Sequence, residues 1–530
     1  MTQASKRGRR LGAALCIGAL ALAGCTTEDG SIEADGTTEG NGDGPHTDTI
    51  RGAWITDPVG FLPMTTTATD DYRAARLLYD TVLRRDIDGE LIGGIADDYQ
   101  LEESGLTLTI GEGHTCADGT EITPTVVADS LTYFADETES AVQRDGVFGP
   151  GEATITADDD ASTVVIELSE PHSDLPAGLA IPQSGIVCPA GLEDPESTAA
   201  GQVEAAFSGP YVLSEANDGV SYVFELREGY DSWPDYSEEL EGVPAQYLEF
   251  YVGIDDTVAN QLLTDELDVA PVTDQELDRF EDEEGYDQTT VTTGEFYILF
   301  NHGEQSPFQD EEMRRALAQI VDRETLAEIV DPNGELIATL GDENMQCANT
   351  DFSLLEDYDA EAASEALDGV QVNVIGTNAI GQNGAGAIYV QEQLLAAGAE
   401  VELQNLDVGT WVTDIYEEPE WWDVTVFATV NNIGTISWGL GTVIGVPHTE
   451  GGRNTSVSNN PAATEALDAA LAAGSEEEMC EYYQIAQEEA LAAVDFIPIS
   501  MDTRTFVIRD GFTIYGPGGN EDLTSLRILD

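Results

Sequence analysis

The 530-residue chain is almost without cations: 19 Lys and Arg stand against 103 Asp and Glu, giving a formal net charge of −84, and Lys6 is the only lysine. That balance excludes nucleic-acid binding, which needs clustered cations to displace counterions from phosphates. It equally excludes docking on anionic lipid headgroups through basic patches. Histidine is scarce, with His46, His114, His172, His302 and His448 scattered singly, and no two of the six cysteines have Cys-x-x-Cys spacing. The usual zinc arrangements are therefore missing. Neither His-Glu-x-x-His nor Gly-x-Ser-x-Gly occurs. The glycines Gly376, Gly381, Gly384 and Gly386 match neither phosphate-loop pattern and read as a plain strand-to-helix connection. Carboxylates are so abundant that no pair stands out as acid and base. No apolar run reaches the roughly 20 residues of a membrane span. What is present is a 41% hydrophobic chain long enough for two or three domains of about 150 residues each.

The first residues read as an export signal. Lys6, Arg7, Arg9 and Arg10 form a cationic start, and Leu11 to Ala23 is an apolar stretch too short to span a bilayer. It ends in Leu22-Ala23-Gly24-Cys25, which resembles the bacterial lipobox. That resemblance implies removal of residues 1–24, lipid on Cys25, and anchoring to the outer face of the cytoplasmic membrane. The Arg9-Arg10 pair hints at twin-arginine export, but the rest of that motif is poor. Without residues 1–24 the chain keeps 103 acidic and 15 basic residues, because the leader holds four of the cations. The acids are spread along the whole chain and read as a solvated coat. Residues 25–49 are Gly, Thr, Asp and Glu with hardly an apolar side chain, a flexible acidic tether that cannot bury enough surface to order itself. His46 lies in it.

From residue 50 on, strands and helices alternate. Arg51 to Thr56 reads as a strand running into a turn at Asp57-Pro58. Asp71 to Arg85 reads as one helix with Ala74, Leu77, Leu78 and Val82 inward. Leu106 to Ile110 alternates as a strand, and Thr123-Pro124 opens a helix facing inward with Val127, Leu131 and Phe134. Val164 to Leu168 and Tyr222 to Leu226 are further strands. Asp310 caps a helix whose face is Met313, Ala316, Leu317, Ile320 and Val321. Val372 to Ile375, a helix ending at Gly398, and Val401 to Leu403 form a βαβ unit. Cys480 to Ala493 is a helix stopped before Ile497-Pro498.

The segment Gly105 to Phe134 (GLTLTIGEGHTCADGTEITPTVVADSLTYF) carries Asp118-Gly119, Ile122-Thr123 and Val127 in a strand, polar turn and helix. It resembles the signature of family 5 extracellular solute-binding proteins, the oligopeptide, dipeptide and nickel receptors of ABC importers, with Gly111 where that family usually has a basic residue. Gly209-Pro210-Tyr211, Tyr230 to Tyr236, LLTDELDVA at Leu262 to Ala270, YILFN at Tyr297 to Asn301, FQDEEMRRALAQIVDR at Phe308 to Arg323 and FIPI at Phe496 to Ile499 follow in the family's order. The resemblance covers about residues 50–530. It implies an α/β, two-lobed periplasmic-binding-protein-like fold of the large, peptide-binding type II class. Lobe I would comprise 50–82, 210–296 and 498–530, with a sub-domain at 83–209 inserted, and lobe II would be 297–497, joined by a hinge. A solute enclosed between the lobes would be delivered to a membrane permease with its cytoplasmic ATPase. The receptor would be a monomer without catalytic residues, metal or cofactor.

After the leader and Cys25, Cys116, Cys188, Cys347 and Cys480 remain, allowing three pairings in an oxidising compartment. The implied lobes favour Cys116–Cys188 and Cys347–Cys480, each within one lobe. In peptide-binding members an Asp in the loop after a Trp-Trp-Asp strand pairs with the peptide amine. Here that stretch is Trp421-Trp422-Asp423 followed by Val430-Asn431-Asn432, so the resemblance places Asn431 or Asn432 where that Asp would be. An amide supplies no charge, and about 1–2 kcal/mol of charge-assisted bonding would be absent. Trp438 is an expected pocket wall, Thr56 and Phe61 follow the opening strand, and Thr503 lies near the expected hinge with Tyr211 and Asn301. The expected solute is a peptide or related small molecule. A nickel complex held through His302 or His448 is the alternative, and an exported hydrolase the reading after that.

Overall fold

The structure is a computed structural model. It describes residues 48–529 except 87–88, 103, 138–140, 255–256, 282, 418–420 and 517–521. The export signal, Cys25 and nearly all of the expected tether lie outside the described residues. The described residues belong to one compact unit.

A four-stranded sheet orders Thr49–Trp54, Tyr247–Val252, Ser221–Leu226 and Tyr211–Asn217. Thr49, placed at the end of the tether by its polar context, is already a strand residue opposite Tyr247. A second four-stranded sheet orders Ala96–Glu102, Gly105–Ile110, Thr163–Leu168 and Ala153–Asp158. The largest sheet has six strands, in the order Val269–Val272, Phe496–Arg509, Tyr286–Phe300, Val424–Val430, Gln371–Thr377 and Glu400–Leu406. Its last two strands run parallel, with the helix Ala385–Ala396 between them in sequence. This is the βαβ unit read from the sequence, and Gly384 ends its connection in the left-handed region at φ +78°.

Two hydrophobic cores follow these sheets. One gathers the first two sheets with the helices over them, including Ile50, Tyr79, Leu131 and Phe224. The other lies between residues 296 and 499, with Leu299, Leu317, Val374 and Trp422 fully buried. A small third core joins Ala53 to Ala259, Leu262 and Phe280. Cys116 is bonded to Cys188 and Cys347 to Cys480.

The helix expected over Asp71 to Arg85 is shorter. It spans Thr69–Leu78, and Leu83–Arg85 is instead a strand paired with Leu91–Gly93. Tertiary hydrogen bonds capture the backbone after Leu78: Gly209 N donates to Leu78 O, Asp80 N to Ser208 Oγ, and Ile186 N to Asp80 O. These partners replace the next helical turn, and Val82 is buried outside any helix. The helix at Cys480 begins one turn early, at Glu476, because Ser475 Oγ accepts from Glu478 N.

Candidate binding site

The six-stranded sheet contains two long antiparallel strands, Tyr286–Phe300 and Phe496–Arg509, whose register breaks twice, between Thr292 and Gly294 and between Phe296 and Tyr297. Thr292 faces Thr503 and Gly294 faces Asp502, leaving Thr293 as the extra residue. A bulge re-aims side chains and ends regular pairing, and a cleft lies at the first of these breaks. It holds about 840 Å³, its open mouth included. Thr293, Asp502 and Arg504 come from these strands, Val430 and Asn432 from the end of Val424–Val430 and its loop, and Thr69, Tyr72, Arg73 and Arg76 from one helix. Arg84, Arg85, Asp522 and the turn Ala180–Pro182 complete the lining.

Five arginines against two aspartates line this cleft. The polar side of each helps to fix its place. Asp70, at the start of the helix, accepts from Ile55 N (2.9 Å) and Thr56 N (2.8 Å) and pairs with Arg73. Arg84 Nη2 donates to Asp522 Oδ2 (2.6 Å) and Thr524 Oγ1 (2.9 Å), with Asp80 at 3.7 Å from Nη1. Burial would lower the Arg84 pKa, but Asp522, Tyr236 and Asp80 outweigh it and hold the guanidinium more firmly charged than usual. Burial raises Asp522, and Arg84 and Arg76 more than reverse this, so its carboxyl titrates below the ordinary range.

Arg76 and Arg85 are bound differently. Arg76 Nη1 donates to Thr81 Oγ1 (3.0 Å) and Nη2 to Ala180 O (2.6 Å). Arg85 Nη1 donates to Gly89 O (2.9 Å), and its Nη2 to Ile433 O and Gly434 O. Neither has a carboxylate within ion-pair distance among the described residues. Burial lowers both to about 10, which still leaves both charged at neutral pH. Asp502 moves the other way: burial raises it to about 6 against the pull of Arg504.

Of the residues picked out in the sequence, Asn432 lines the cleft, and Thr56 lines its wider outer part with Ile55 and Ala68. The others are placed elsewhere. Thr503 is one position off: Asp502 and Arg504 line the cleft, and successive side chains on a strand alternate faces. Thr503 instead donates through N and Oγ1 to Asp331 Oδ2, both at 2.7 Å. Phe61 is buried in the first core, 6.0 Å from the Tyr222 ring. Trp438 is buried, donates from Nε1 to Val430 O (3.0 Å), and carries the Arg453 guanidinium 3.5 Å over its ring. It anchors its loop. Tyr211 donates to Ala245 O and Asn301 Nδ2 to Trp422 O, both inside packed structure.

Asn431 is likewise committed. Its Nδ2 donates to Glu295 Oε1 (2.7 Å) and Thr435 O (3.0 Å), and its Oδ1 accepts from Gly434 N (2.9 Å). It closes the 431–435 turn over a buried carboxyl. Burial raises that Glu295 to about 8, despite the bond from Asn431. His302 is buried beside Asp495 O with its pKa lowered to about 3 by burial and Arg314, and His448 leans on Asn454 O. Neither lines the cleft. No group of three His, Cys, Asp or Glu able to hold a metal occurs among the described residues, and none of their helices is long and apolar enough to cross a membrane.

The arginines were the residues missed by reading the sequence. Arg73 and Arg76 are three apart on one helix, and Arg84-Arg85 is a pair. In a chain with only 19 basic residues, that clustering was the available signal.

Residues 90–440 match the family described as bacterial extracellular solute-binding proteins, family 5, middle. No curated protein matches the chain. A solved substrate-binding protein from Microbacterium hydrocarbonoxydans, complexed with 4-hydroxybenzoate hydrazide, is 38% identical over 91% of this chain and 100% of its own, with a TM-score of 0.77. A dipeptide-binding protein from Pseudoalteromonas sp. SM9913 with Met-Leu shares the fold at 20% identity, 91% and 100% coverage and TM-score 0.72. NikA from Staphylococcus aureus with Ni(L-His)2 does so at 13% identity, 91% and 99% coverage and TM-score 0.69. With its mixed α/β, two-lobed periplasmic-binding-protein fold, the chain belongs to the family 5 extracellular solute-binding proteins, the substrate-binding proteins of ABC importers.

Proposed function

We propose that the chain is an exported lipoprotein receptor, held at the outer face of the cytoplasmic membrane by lipid on Cys25. It captures one small solute per molecule in the arginine-lined cleft and hands it to an ABC permease without chemical change. The observation that carries this reading is the cleft itself. It is lined by segments from residue 69 to residue 522 and sits on the register break at Thr293 between the two longest strands. Enclosure of a solute by distant segments supplies binding by desolvation and can be read out as closure by a partner. The lobes would follow the boundaries 50–82, 210–296 and 498–530 for lobe I, 83–209 for its inserted sub-domain, and 297–497 for lobe II. The core lying within 296–499 supports the last of these. The commitment of Asn431 to Glu295 speaks against anchoring a free peptide amine at that position.

Native mass spectrometry of the protein purified from its own export pathway tests the reading. A discrete non-covalent mass carried at one per chain, whose removal lowers the melting temperature, is the expected result. Conversion of the released molecule to a product on re-addition overturns it.

A further inference from the structure

Resting on the receptor reading, we propose that the solute is an amphiphilic organic acid, its carboxylate seated inward at Arg76 and its apolar body in the outer cleft.

Arg76 is 7% exposed, yet both of its hydrogen bonds go to uncharged oxygens, Thr81 Oγ1 and Ala180 O. A guanidinium has five donors, so Arg76 keeps donor capacity beyond these two bonds. A buried cation without a close carboxylate is costly, and an anion that pairs with it offsets that cost. The neighbouring charges have different assignments. Arg73 is paired with Asp70, and Arg84 with Asp522 and, more loosely, Asp80. These pairs hold their own charges. Arg85 also lacks a close carboxylate but is committed to three backbone oxygens, Gly89 O, Ile433 O and Gly434 O, and this assigns the ligand's acid group to Arg76 rather than to Arg85. A planar guanidinium accepts a carboxylate through two parallel hydrogen bonds, which fixes the direction of the bound acid.

The outer cleft differs in chemistry. A cavity of about 630 Å³ shares Thr69, Tyr72, Val430 and Asn432 with the inner one and adds Ile55, Thr56, Thr67, Ala68 and Asp70, whose charge is paired with Arg73. Ile55 is 45% exposed and Val430 48%, so two aliphatic side chains stand partly uncovered at the mouth. The inner cleft is cationic and the mouth apolar. One molecule satisfies both when it has an acid group at one end and a hydrocarbon or aromatic body at the other. The expected amine-pairing Asp is absent at 431–432, where Asn431 is held by Glu295 and Asn432 lines the cleft.

Calorimetric titration and thermal shift with matched probes test this. A panel of arene, alkyl and dipeptide carboxylates is compared with the amide or hydrazide of each, including 4-hydroxybenzoate against 4-hydroxybenzoate hydrazide. The expected result is an acid that binds at least tenfold more tightly than its neutral partner. R76Q removes that preference and leaves the neutral partner within about threefold, while R76K, which keeps the charge, retains part of it. Melting temperatures without ligand establish that both variants fold. Binding of neutral members equal to or tighter than their acids, or equal weakening of both by R76Q, overturns the proposal and leaves the receptor reading standing. Silence from every acid in the panel overturns it as well. Silence from every probe together with no co-purified solute counts against the receptor reading too.

Discussion

Arg85 and Gly434 are packed together: Arg85 Nη2 donates to Gly434 O at 3.3 Å, and a Cβ on Gly434 would stand 3.0 Å from the same nitrogen. Gly434 also has a φ of +67°, so glycine is required there twice over, for the backbone turn and for the approach of the guanidinium. The contact ties the strand Leu83–Arg85 to the turn that follows Val424–Val430, across the cleft that both line.

R85Q is therefore expected to loosen the cleft. Hydrogen bonds from a charged donor contribute about 1.5–3 kcal/mol each, and the variant loses the charge behind three of them. Affinity for the captured solute is expected to fall by about tenfold or more, and small-angle scattering of the unliganded variant should give a larger radius of gyration than the native protein. Unchanged affinity and radius would show that the contact is not a latch.

How far the sequence could be read differs between scaffold and site. The helix Glu311–Ile320 was legible because its cap is local: Asp310 Oδ1 accepts from Glu312 N, and the apolar face repeats at helical spacing. The βαβ unit at 371–406 was legible for the same reason. The end of the helix at Leu78 was not, because Gly209, Ser208 and Ile186, more than 100 residues away in sequence, supply the hydrogen bonds that stop it. At the site, the apolar face Ala74, Leu77 and Leu78 directed attention to the core. Arg73 and Arg76, on the same helix, meet Arg84, Arg85 and Arg504 only through tertiary structure. Thr503 shows the sharpness of strand alternation: it lies on the strand whose Asp502 and Arg504 line the cleft, and a step of one residue puts its side chain on the other face.

Glu295 makes stability fall with rising pH. Burial raises its folded pKa to about 8 from an ordinary 4.5. The folded state therefore holds a proton that the unfolded state releases, and stability present below about pH 4.5 is lost progressively as pH rises through 8. Glu295 accepts from Asn431 through Oε1 while Oε2 has no hydrogen-bond partner, so ionisation leaves a charge poorly compensated. E295Q removes the ionisation and keeps an acceptor for Asn431. Its melting temperature should exceed that of the native protein at pH 9, by an amount corresponding to a few kcal/mol, and the difference should shrink or reverse at pH 5. A difference that does not depend on pH would exclude Glu295 as the titrating group.

The two disulfides differ in access. Cys116 and Cys188 are 1% and 0% exposed, whereas Cys347 and Cys480 are only partly buried. Thiol–disulfide exchange requires the attacking thiolate to reach a sulfur. Under mild reductant, thiol labelling with mass mapping should find Cys347 and Cys480 first, and Cys116 and Cys188 only after unfolding begins. Loss of either bridge should cost about 2–5 kcal/mol. Simultaneous labelling of all four would mean that reduction follows global opening instead.

Gly294 tests the register break beneath the cleft. A Cβ at this position would lie 1.8 Å from Thr429 O and 3.1 Å from Val430 Cα, both backbone atoms that cannot rotate away. Gly294 is hydrogen-bonded into both neighbouring strands, opposite Asp502 on one side and Val430 on the other. G294A must separate the strands Tyr286–Phe300 and Val424–Val430 where Asp502, Thr293 and Val430 line the site. Clashes of this kind rank with the larger single-substitution effects, about 3–5 kcal/mol. Gly409 is the control, since its Cβ would meet only Asp407 Oδ1 at an ordinary 3.5 Å and alanine favours the helix Val408–Glu417 in which it lies. G294A should lower the melting temperature by many degrees and weaken solute binding, and G409A should leave both nearly unchanged. Equal behaviour of the two variants would mean that the strands give way without cost, and that the bulge does not set the geometry of the cleft.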